Sequence, residues 1–508
     1  MLKLQWARAI ALVLILMSMA SCGEAQTSET PAEGAPGISQ HVDLTMYLLG
    51  DVPADQELVQ AELNKQLNEK LNVTLTTKYL SWGDYMTKYS LILASGQDVD
   101  LIYTSDWAFY PTEAAKGAFY ELTDEFMELY MPNVLKTQAP ESLNQARING
   151  KLYAIPKNNT GLEGESYVMI RKDLREKYGM GTIDSLEKLE EYFKAVLANE
   201  SGILPYAANY DAGGFYMEAY LQPNSIYGAG PGYSYSAAST EAPEFSELEY
   251  TWFREDIIPY YERMKQWAEW GFWSKNAISN TEATRDAFEN GKSASLGQNP
   301  GTLYTAGRNL SNNNPEWTYE VLDVCPGTNR HPSMYTGDCM AIADASKKPE
   351  RTAMLIDLIK SDLDVYLCLV GGIEGKHYVL DEDGSRLLGP EADKYPWDSG
   401  TWGFRWNDAM LPRDASMTAE QAAFEEGQKK LFLAPDVLGF RFDREPVKNE
   451  MAAVEAIADE YVDMFHLGMV PDIRGTVAEW KAKTEAAGLP VIEAEFEKQY
   501  NAWKATLK

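Results

Sequence analysis

Residues 44–103 read LTMYLLGDVPADQELVQAELNKQLNEKLNVTLTTKYLSWGDYMTKYSLILASGQDVDLIY, and this stretch decides the fold. The apolar run Leu44 to Leu49 is followed by Gly50-Asp51 and then by Val59, Leu63 and Leu67 at helical spacing, the pattern of a strand and an amphipathic helix. Asn72 to Thr76 predicts a second strand. Ser81 with Asp84 three residues on predicts a boxed helix start, with Tyr85, Tyr89 and Leu93 on one face and Gly96 as the stop. Val99 to Tyr103 predicts a third strand. Strands alternating with helices of this length give an α/β unit built on a parallel sheet. In such sheets the loops at the carboxyl ends of strands line the ligand crevice. Here those loops are Gly50-Asp51, Ser81-Trp82 and Ser105-Asp106-Trp107.

Further along, Gly150 to Pro156 and Tyr167 to Arg171 are strand-like, and Asp184 is placed to cap a helix with Leu186, Leu189, Phe193 and Val196 inward. The Gly- and Tyr-rich segment from Asn209 to about Glu249 reads as a long loop or insertion. Ile257, Tyr261, Met264 and Ala268 mark another helix, and one more ends at Glu289-Asn290-Gly291, with Lys292 to Gly297 extended behind it. Trp317 to Val324 and Met340 to Ala343 predict strands, and Pro349 to Lys360 a helix. Val447, Met451, Val454, Ile457 and Tyr461 form one helical stripe and Ile492, Phe496, Tyr500 and Trp503 another, both read as core packing.

The whole chain has 508 residues, enough for two to four structural units, and hydrophobic residues make up 45%, which excludes general disorder. Its 45 Lys+Arg face 76 Asp+Glu, a net charge of −31 that disfavours nucleic acid and anionic membrane surfaces as partners. At the start, Lys3 and Arg8 precede an apolar run from Ala9 to Ala20, a secretory signal over residues 1–21. That run is too short to cross a bilayer core about 30 Å thick at about 1.5 Å per residue. Met19-Ala20-Ser21-Cys22 resembles the bacterial lipobox, which implies acylation of Cys22 and attachment by lipid to the extracellular face of the cell membrane. Residues 22–41 then read as a lipidated flexible linker. Cys325, Cys339 and Cys368 remain. They are read as free buried thiols, with a Cys325–Cys339 bridge as the alternative.

Catalytic signatures do not assemble. His41, His331, His377 and His466 lack metal-ligand spacing, and no GxSxG elbow occurs. Gly291-Lys292-Ser293 echoes a phosphate-binding loop, but Asp286 stands where that loop needs glycine. Asp381-Glu382-Asp383-Gly384 suggests a calcium loop, but Val379 occupies its first ligand position, so a tight turn is the better reading. No cofactor, no metal and no catalytic residue is expected.

The order NGKLYAIP (149–156), YVMIRKDL (167–174), AFENGKSASL (287–296) and GDCMAIADASKKPERTAMLIDLI (337–359) resembles the extracellular solute-binding proteins of ABC importers, in their oligosaccharide-type branch. GGIEGKHYVLDEDG (371–384), GFRFDREPVKNEMAAVEAIADEYVDMFHLG (439–468) and AAGLPVIEAEFEKQYNAW (486–503) resemble the C-terminal region, of undefined function, of a Gram-positive subgroup of these lipoproteins. The resemblance implies a two-lobe, type II periplasmic-binding-protein-like fold with three hinge crossings and a helical C-terminal extension. It places residues 42–155 and 296–338 in the N-terminal lobe and 156–295 and 339–508 in the C-terminal lobe, with 365–508 as the subgroup-specific region. It also implies a monomer that delivers an oligosaccharide, or another small polar solute, to ABC permease subunits. A secreted carbohydrate-active enzyme and a surface sensor or adhesion protein are the alternatives.

A pyranose offers an apolar C–H face and a rim of hydroxyls, so its site needs flat aromatics beside carboxylates, amides and imidazoles. Asp106 and Trp107, directly after a strand at a crevice loop, supply a stacking plane beside an acceptor, and Trp82 stands at a similar strand exit. Gln298 and Asn299 lie just past the returning strand, where the resemblance places cleft residues. Glu374, His377, Trp402 and Asn407 fall in the C-terminal region and complete the candidate set. For Glu374 and His377 the alternative is that they pair and staple the extension to the body.

Overall fold

The computed structural model describes residues 37–507 apart from 96–97, 162–166, 210–214, 222–225, 237–239, 331 and 434–435. The expected leader, Cys22, Gly96 and His331 therefore lie outside the described residues. Eight strands carry the architecture: β1 (Val42–Leu49), β2 (Val73–Leu80), β3 (Leu101–Thr104), β4 (Ile155–Pro156), β5 (Tyr167–Arg171), β6 (Ser295–Gly297), β7 (Tyr319–Asp323) and β8 (Cys339–Ile342). They form two sheets, ordered β2-β1-β3-β8-β4 and β6-β5-β7. β1 runs parallel to β2 and β3, whereas β8 runs antiparallel to β3 and β4. Every residue of β3 and of β5 is buried, which is why both read as unbroken apolar runs.

The helices used below are α1 (Gln56–Leu71), α2 (Tyr85–Ala94), α3 (Leu186–Asn199), α4 (Ile258–Trp270), α5 (Pro300–Asn313), α6 (Pro349–Ile359), α7 (Leu363–Gly371), α8 (Ala419–Lys429), α9 (Lys448–His466), α10 (Ile473–Ala486) and α11 (Leu489–Lys504). α1 buries Val59, Leu63, Leu67 and Leu71, each stabilising by about 1.5–3 kcal/mol, and stops where Asn72 takes a left-handed φ of 52°. Two helix starts differ from expectation. At α2 the Ser81 carbonyl, not a capping box, accepts the Asp84 and Tyr85 N–H groups at 3.0 Å. At α3 the cap is Ser185, whose Oγ accepts from Lys188 N at 3.3 Å, while Asp184 pairs with the Lys188 ammonium.

The two largest hydrophobic cores follow the two sheets, and the α/β two-lobe architecture stands as expected; the chain crosses three times, but the crossing expected near 295/296 is absent and one beyond residue 406 takes its place. The first core joins β1–β4 and β8 to α6, α7, Tyr378, Tyr395, Phe404 and Trp406. The second joins β5 to α3, α4 and, from the C-terminal region, Tyr461, Phe465 and Trp480. The chain crosses between Pro156 and Tyr167, between Asp323 and Cys339, and between Asp414, held by Arg386, and Phe424, which packs on Tyr167.

The strand pairing corrects the expected allocation of residues. β6 and β7 flank β5 in the second lobe, so 296–338 is not first-lobe chain; β8 and the segment through Trp406 belong to the first lobe, not the second. A short buried apolar run specifies a strand but not its neighbours, and pairing partners here lie more than a hundred residues apart. The described residues of the segment 209–250 are not all loop. They contain the helix Phe215–Leu221 and an antiparallel sheet of Ile226–Gly228, Tyr233–Ser236 and Glu249–Tyr250. Its tyrosines do core work: Tyr233 and Tyr235 are buried with Phe440, Phe496 and Tyr500. Residues 37–40, expected within the linker, are bound to the body: Asn72 Nδ2 donates to the carbonyls of Ile38 and Ser39, and Arg351 to those of Gly37 and Gln40. Cys325, Cys339 and Cys368 are buried thiols, not joined in a disulfide.

His466, at the end of α9, is buried against Tyr260 and Trp252, with Nδ1 2.7 Å from the Tyr260 hydroxyl. Burial pushes its pKa down to about 4. The unfolded chain takes up this proton near pH 6.5, so between about pH 6.5 and 4 the unfolded state binds more protons and the native state loses roughly 3 kcal/mol. Above pH 6.5 that stability is fully present. Urea unfolding at pH 7 and at pH 4.5 should show this acid loss in the wild type and a loss smaller by about 2–3 kcal/mol in His466→Gln. Equal acid losses in the two proteins would exclude His466 as the group responsible.

Candidate ligand-binding site

The loops that follow β2 and β3 each end the strand with a hydrogen-bonded turn and leave an indole outside. After β2, the Ser81 carbonyl turns the chain into α2 and Trp82 stays 46% exposed. After β3, the Ser105 carbonyl accepts from Ala108 N at 3.1 Å and Tyr110 N at 2.9 Å, and Phe109 takes φ 67°. Trp107, at the tip, is 48% exposed, and its Nε1 donates to the Gly337 carbonyl at 2.8 Å. Indoles held half in water by ordered turns forgo burial energy, which marks a surface kept for contact.

A third indole arrives from far along the chain. The turn Trp402–Phe404 lies over the ends of β1 and β8 because two glycines permit it. A Cβ on Gly400 (φ 76°) would stand 2.7 Å from Leu49 O, and one on Gly403 2.7 Å from the Cys339 backbone. Trp402 thereby meets Trp82 at a centroid distance of 5.8 Å and 27° between planes, and Trp82 meets Trp107 at 6.0 Å and 26°. Tyr85 stands edge-on to Trp82 and Trp107, and Tyr103 edge-on to Trp402. The result is an aromatic wall of near-parallel indoles.

Polar groups rim the wall. The Thr336 hydroxyl donates to Asp106 Oδ2, and Asp106 N donates to Thr336 O at 3.0 Å. Arg441 stands 3.5 Å from the same carboxylate. Below, the Tyr103 hydroxyl donates to Asp338 Oδ1 at 2.7 Å, and burial with the Asp338 charge pushes its pKa well above the usual range, keeping it a donor. Asp338 Oδ2 also meets Lys157 Nζ at 3.1 Å and Arg405 Nη1 at 3.3 Å. Lys157 begins the first crossing and Asp338 ends the second, so one carboxylate ties two of the three crossings together and holds Arg405 of the first lobe beside them. Lys360 lies buried beneath, its Nζ 2.9 Å from Pro156 O and 3.3 Å from Arg405 O, and burial pushes its pKa down to about 7.

Of the candidate residues, Trp82, Asp106, Trp107 and Trp402 come together; the others are found in local structural roles. His377 is buried, with Nδ1 accepting from Ile373 N at 2.9 Å and Nε2 3.2 Å from Asp55 Oδ2, so it staples the extension to the start of α1. Its acid partner is Asp55, while Glu374 is exposed on the turn. Asn299 caps α5 through Thr302 N at 3.0 Å, and Gln298 accepts from Asn299 N at 3.3 Å. Asn407 caps the turn Asp408–Met410 through Ala409 N at 3.1 Å. Asx and Gln residues next to element boundaries satisfy orphan backbone groups first, which explains these three. Thr336, Asp338 and Arg441 were not foreseen. The only sequence signal for Arg441 is Phe440-Arg441-Phe442, where the alternation turns the guanidinium away from one buried and one half-buried ring. Among the described residues no group of three or more His, Cys, Asp or Glu could hold a metal ion, and no helix is long and apolar enough to cross a membrane.

Comparison with known proteins agrees with this fold. A curated relative, the "Carbohydrate ABC transporter substrate-binding protein" of Streptococcus pneumoniae serotype 4, is 23% identical over 506 residues, covering 97% of this chain and 96% of its own. The N-glycan transport solute binding protein (NgtS) of Streptococcus pneumoniae superposes with a TM-score of 0.72 at 20% identity, over 92% of this chain and 100% of that one. Streptococcus pneumoniae FusA, solved in complex with kestose, superposes with a TM-score of 0.62 at 15% identity, over 92% and 100%. These two structures share the fold. Residues 436–505 match a domain of unknown function. Residues 62–361, more than half of the chain, match the bacterial extracellular solute-binding proteins, and they include two of the three crossings and every strand of the two sheets except β1. By that match over more than half of its length, the chain belongs to the bacterial extracellular solute-binding protein family.

Proposed function

We propose that this protein captures an oligosaccharide against the wall of Trp82, Trp107 and Trp402 and passes it unaltered to the permease of an ABC importer. The wall carries the reading. Near-parallel indole faces match the apolar faces of successive pyranose rings, and Asp106 at their edge accepts from rim hydroxyls. The relatives named for carbohydrate, N-glycan and kestose support the same ligand class. A monomer held to the extracellular face by acyl chains on Cys22 keeps the loaded binder near its permease.

Titration calorimetry of the chain from residue 23 onward, with Man5GlcNAc, kestose and a panel of plant and host oligosaccharides, tests the ligand class. At least one should bind saturably at one per chain and raise the melting temperature, because a ligand of the native state alone stabilises it by RT ln(1 + [L]/Kd). No binding across the panel, or the release of new reducing ends during incubation, would overturn the reading. In cells of a Gram-positive host the full chain should fractionate with membranes, and Cys22→Ala should release it; retention of the variant would refute the lipid anchor.

A further inference from the structure

The region matched only as a domain of unknown function reaches across to the wall through one side chain. Phe440 packs on Phe496, Tyr500 and Trp503 at 5.2–5.5 Å, and Phe442 on Phe496 at 5.8 Å. Gln499 of α11 clamps the backbone between them and the helix, accepting from Asp443 N at 2.7 Å and donating to Asp443 O at 2.9 Å. Residue 441 is thus fixed on the second lobe with its side chain directed outward. Its Nη1 donates to Phe440 O at 3.1 Å. Its Nη2 lies 3.2 Å from Thr336 Oγ1, 3.3 Å from Met334 Sδ and 3.5 Å from Asp106 Oδ2. Asp106 is the neighbour of Trp107 on the first lobe. The only charge brought to that carboxylate by an ion pair among the described residues therefore comes from the opposite lobe.

We propose that residues 436–505 form the gripping face of the second lobe and that Arg441 is its latch, pairing with Asp106 and Thr336 to hold the lobes together over ligand on the indole wall. A guanidinium suits this role because, in its planar fork, Nη2 reaches the Thr336 hydroxyl and the Asp106 carboxylate together while Nη1 is anchored on the Phe440 carbonyl. Contact to both lobes shifts the population toward the closed form, and losing it shifts the population back. Lys in its place keeps the charge but not the fork.

This inference rests on the two-lobe binding reading, and its test separates the two. Spin labels at Lys88→Cys on α2 and Lys481→Cys on α10 report the distance between lobes in the ligand-free chain, so the first measurement needs no sugar. Arg441→Ala and, independently, Asp106→Asn should shift the distance distribution to longer values, with Arg441→Lys in between. Each variant is checked for a wild-type melting temperature. With a bound oligosaccharide, Arg441→Ala should release it about tenfold faster, as loss of a hydrogen-bonded charge contact predicts. Unchanged distances in both Arg441→Ala and Asp106→Asn would overturn the latch, whatever sugars bind. Longer distances in both variants, together with a wild type that no saccharide closes, would uphold the latch and refute the proposed ligand class.

Discussion

Trp107→Ala is expected to lower oligosaccharide affinity by roughly 30- to 700-fold, the range that follows from about 2–4 kcal/mol for a central aromatic contact. Trp107 is half exposed in the free protein, so little folding energy depends on it, and its removal should shift the melting temperature by no more than about 2 °C. Loss of affinity without loss of stability distinguishes a ligand surface from a core position. Trp107→Phe retains a stacking face but loses the hydrogen bond to Gly337, and should fall between the two. Calorimetric titration of the three proteins against the tightest saccharide decides it. Wild-type affinity in Trp107→Ala would remove the indole wall as the binding surface.

The opposite signature is expected at Trp480. This indole is fully buried between Tyr461, at 5.3 Å and nearly parallel, and Phe465 at 5.7 Å, with Phe253 edge-on at 5.3 Å. α9 and α10 of the C-terminal region meet the body of the second lobe around it. Trp480→Ala removes the largest side chain at that junction and should cost about 3–5 kcal/mol in chemical denaturation. Trp480→Phe, which keeps an aromatic ring, should cost less. A change below about 1 kcal/mol in Trp480→Ala would mean that this junction does not hold the C-terminal region in place.

Much of the first lobe was legible from periodicity. Val59, Leu63 and Leu67 specify a helix whatever surrounds them, and the residues just after an apolar run fall at a crevice edge in any parallel sheet, so Trp82, Asp106 and Trp107 could be found. Trp402 was recognisable as a candidate, but its approach to Trp82 depends on glycines at 400 and 403 closing on backbone more than sixty residues away. The placement of β6, β7 and β8 was not legible, because a strand of three to five residues does not encode its partner. His377 misled for a related reason. An imidazole beside a glycine turn can face ligand or core equally well by local sequence, and Asp55, 322 positions earlier, resolves the choice. Arg441 lies inside the stretch 439–468, yet its contacts are with Thr336 and Asp106, which only the folded chain brings near it.

The indole wall also makes the molecule its own optical instrument. Chromophores whose centres lie 5.8–6.0 Å apart share excitation, and their mutual tilt sets the sign and size of the circular dichroism they generate together. Any guest that slides onto or between these rings must alter that coupling, so occupancy can be followed in unlabelled protein by near-ultraviolet dichroism and emission colour.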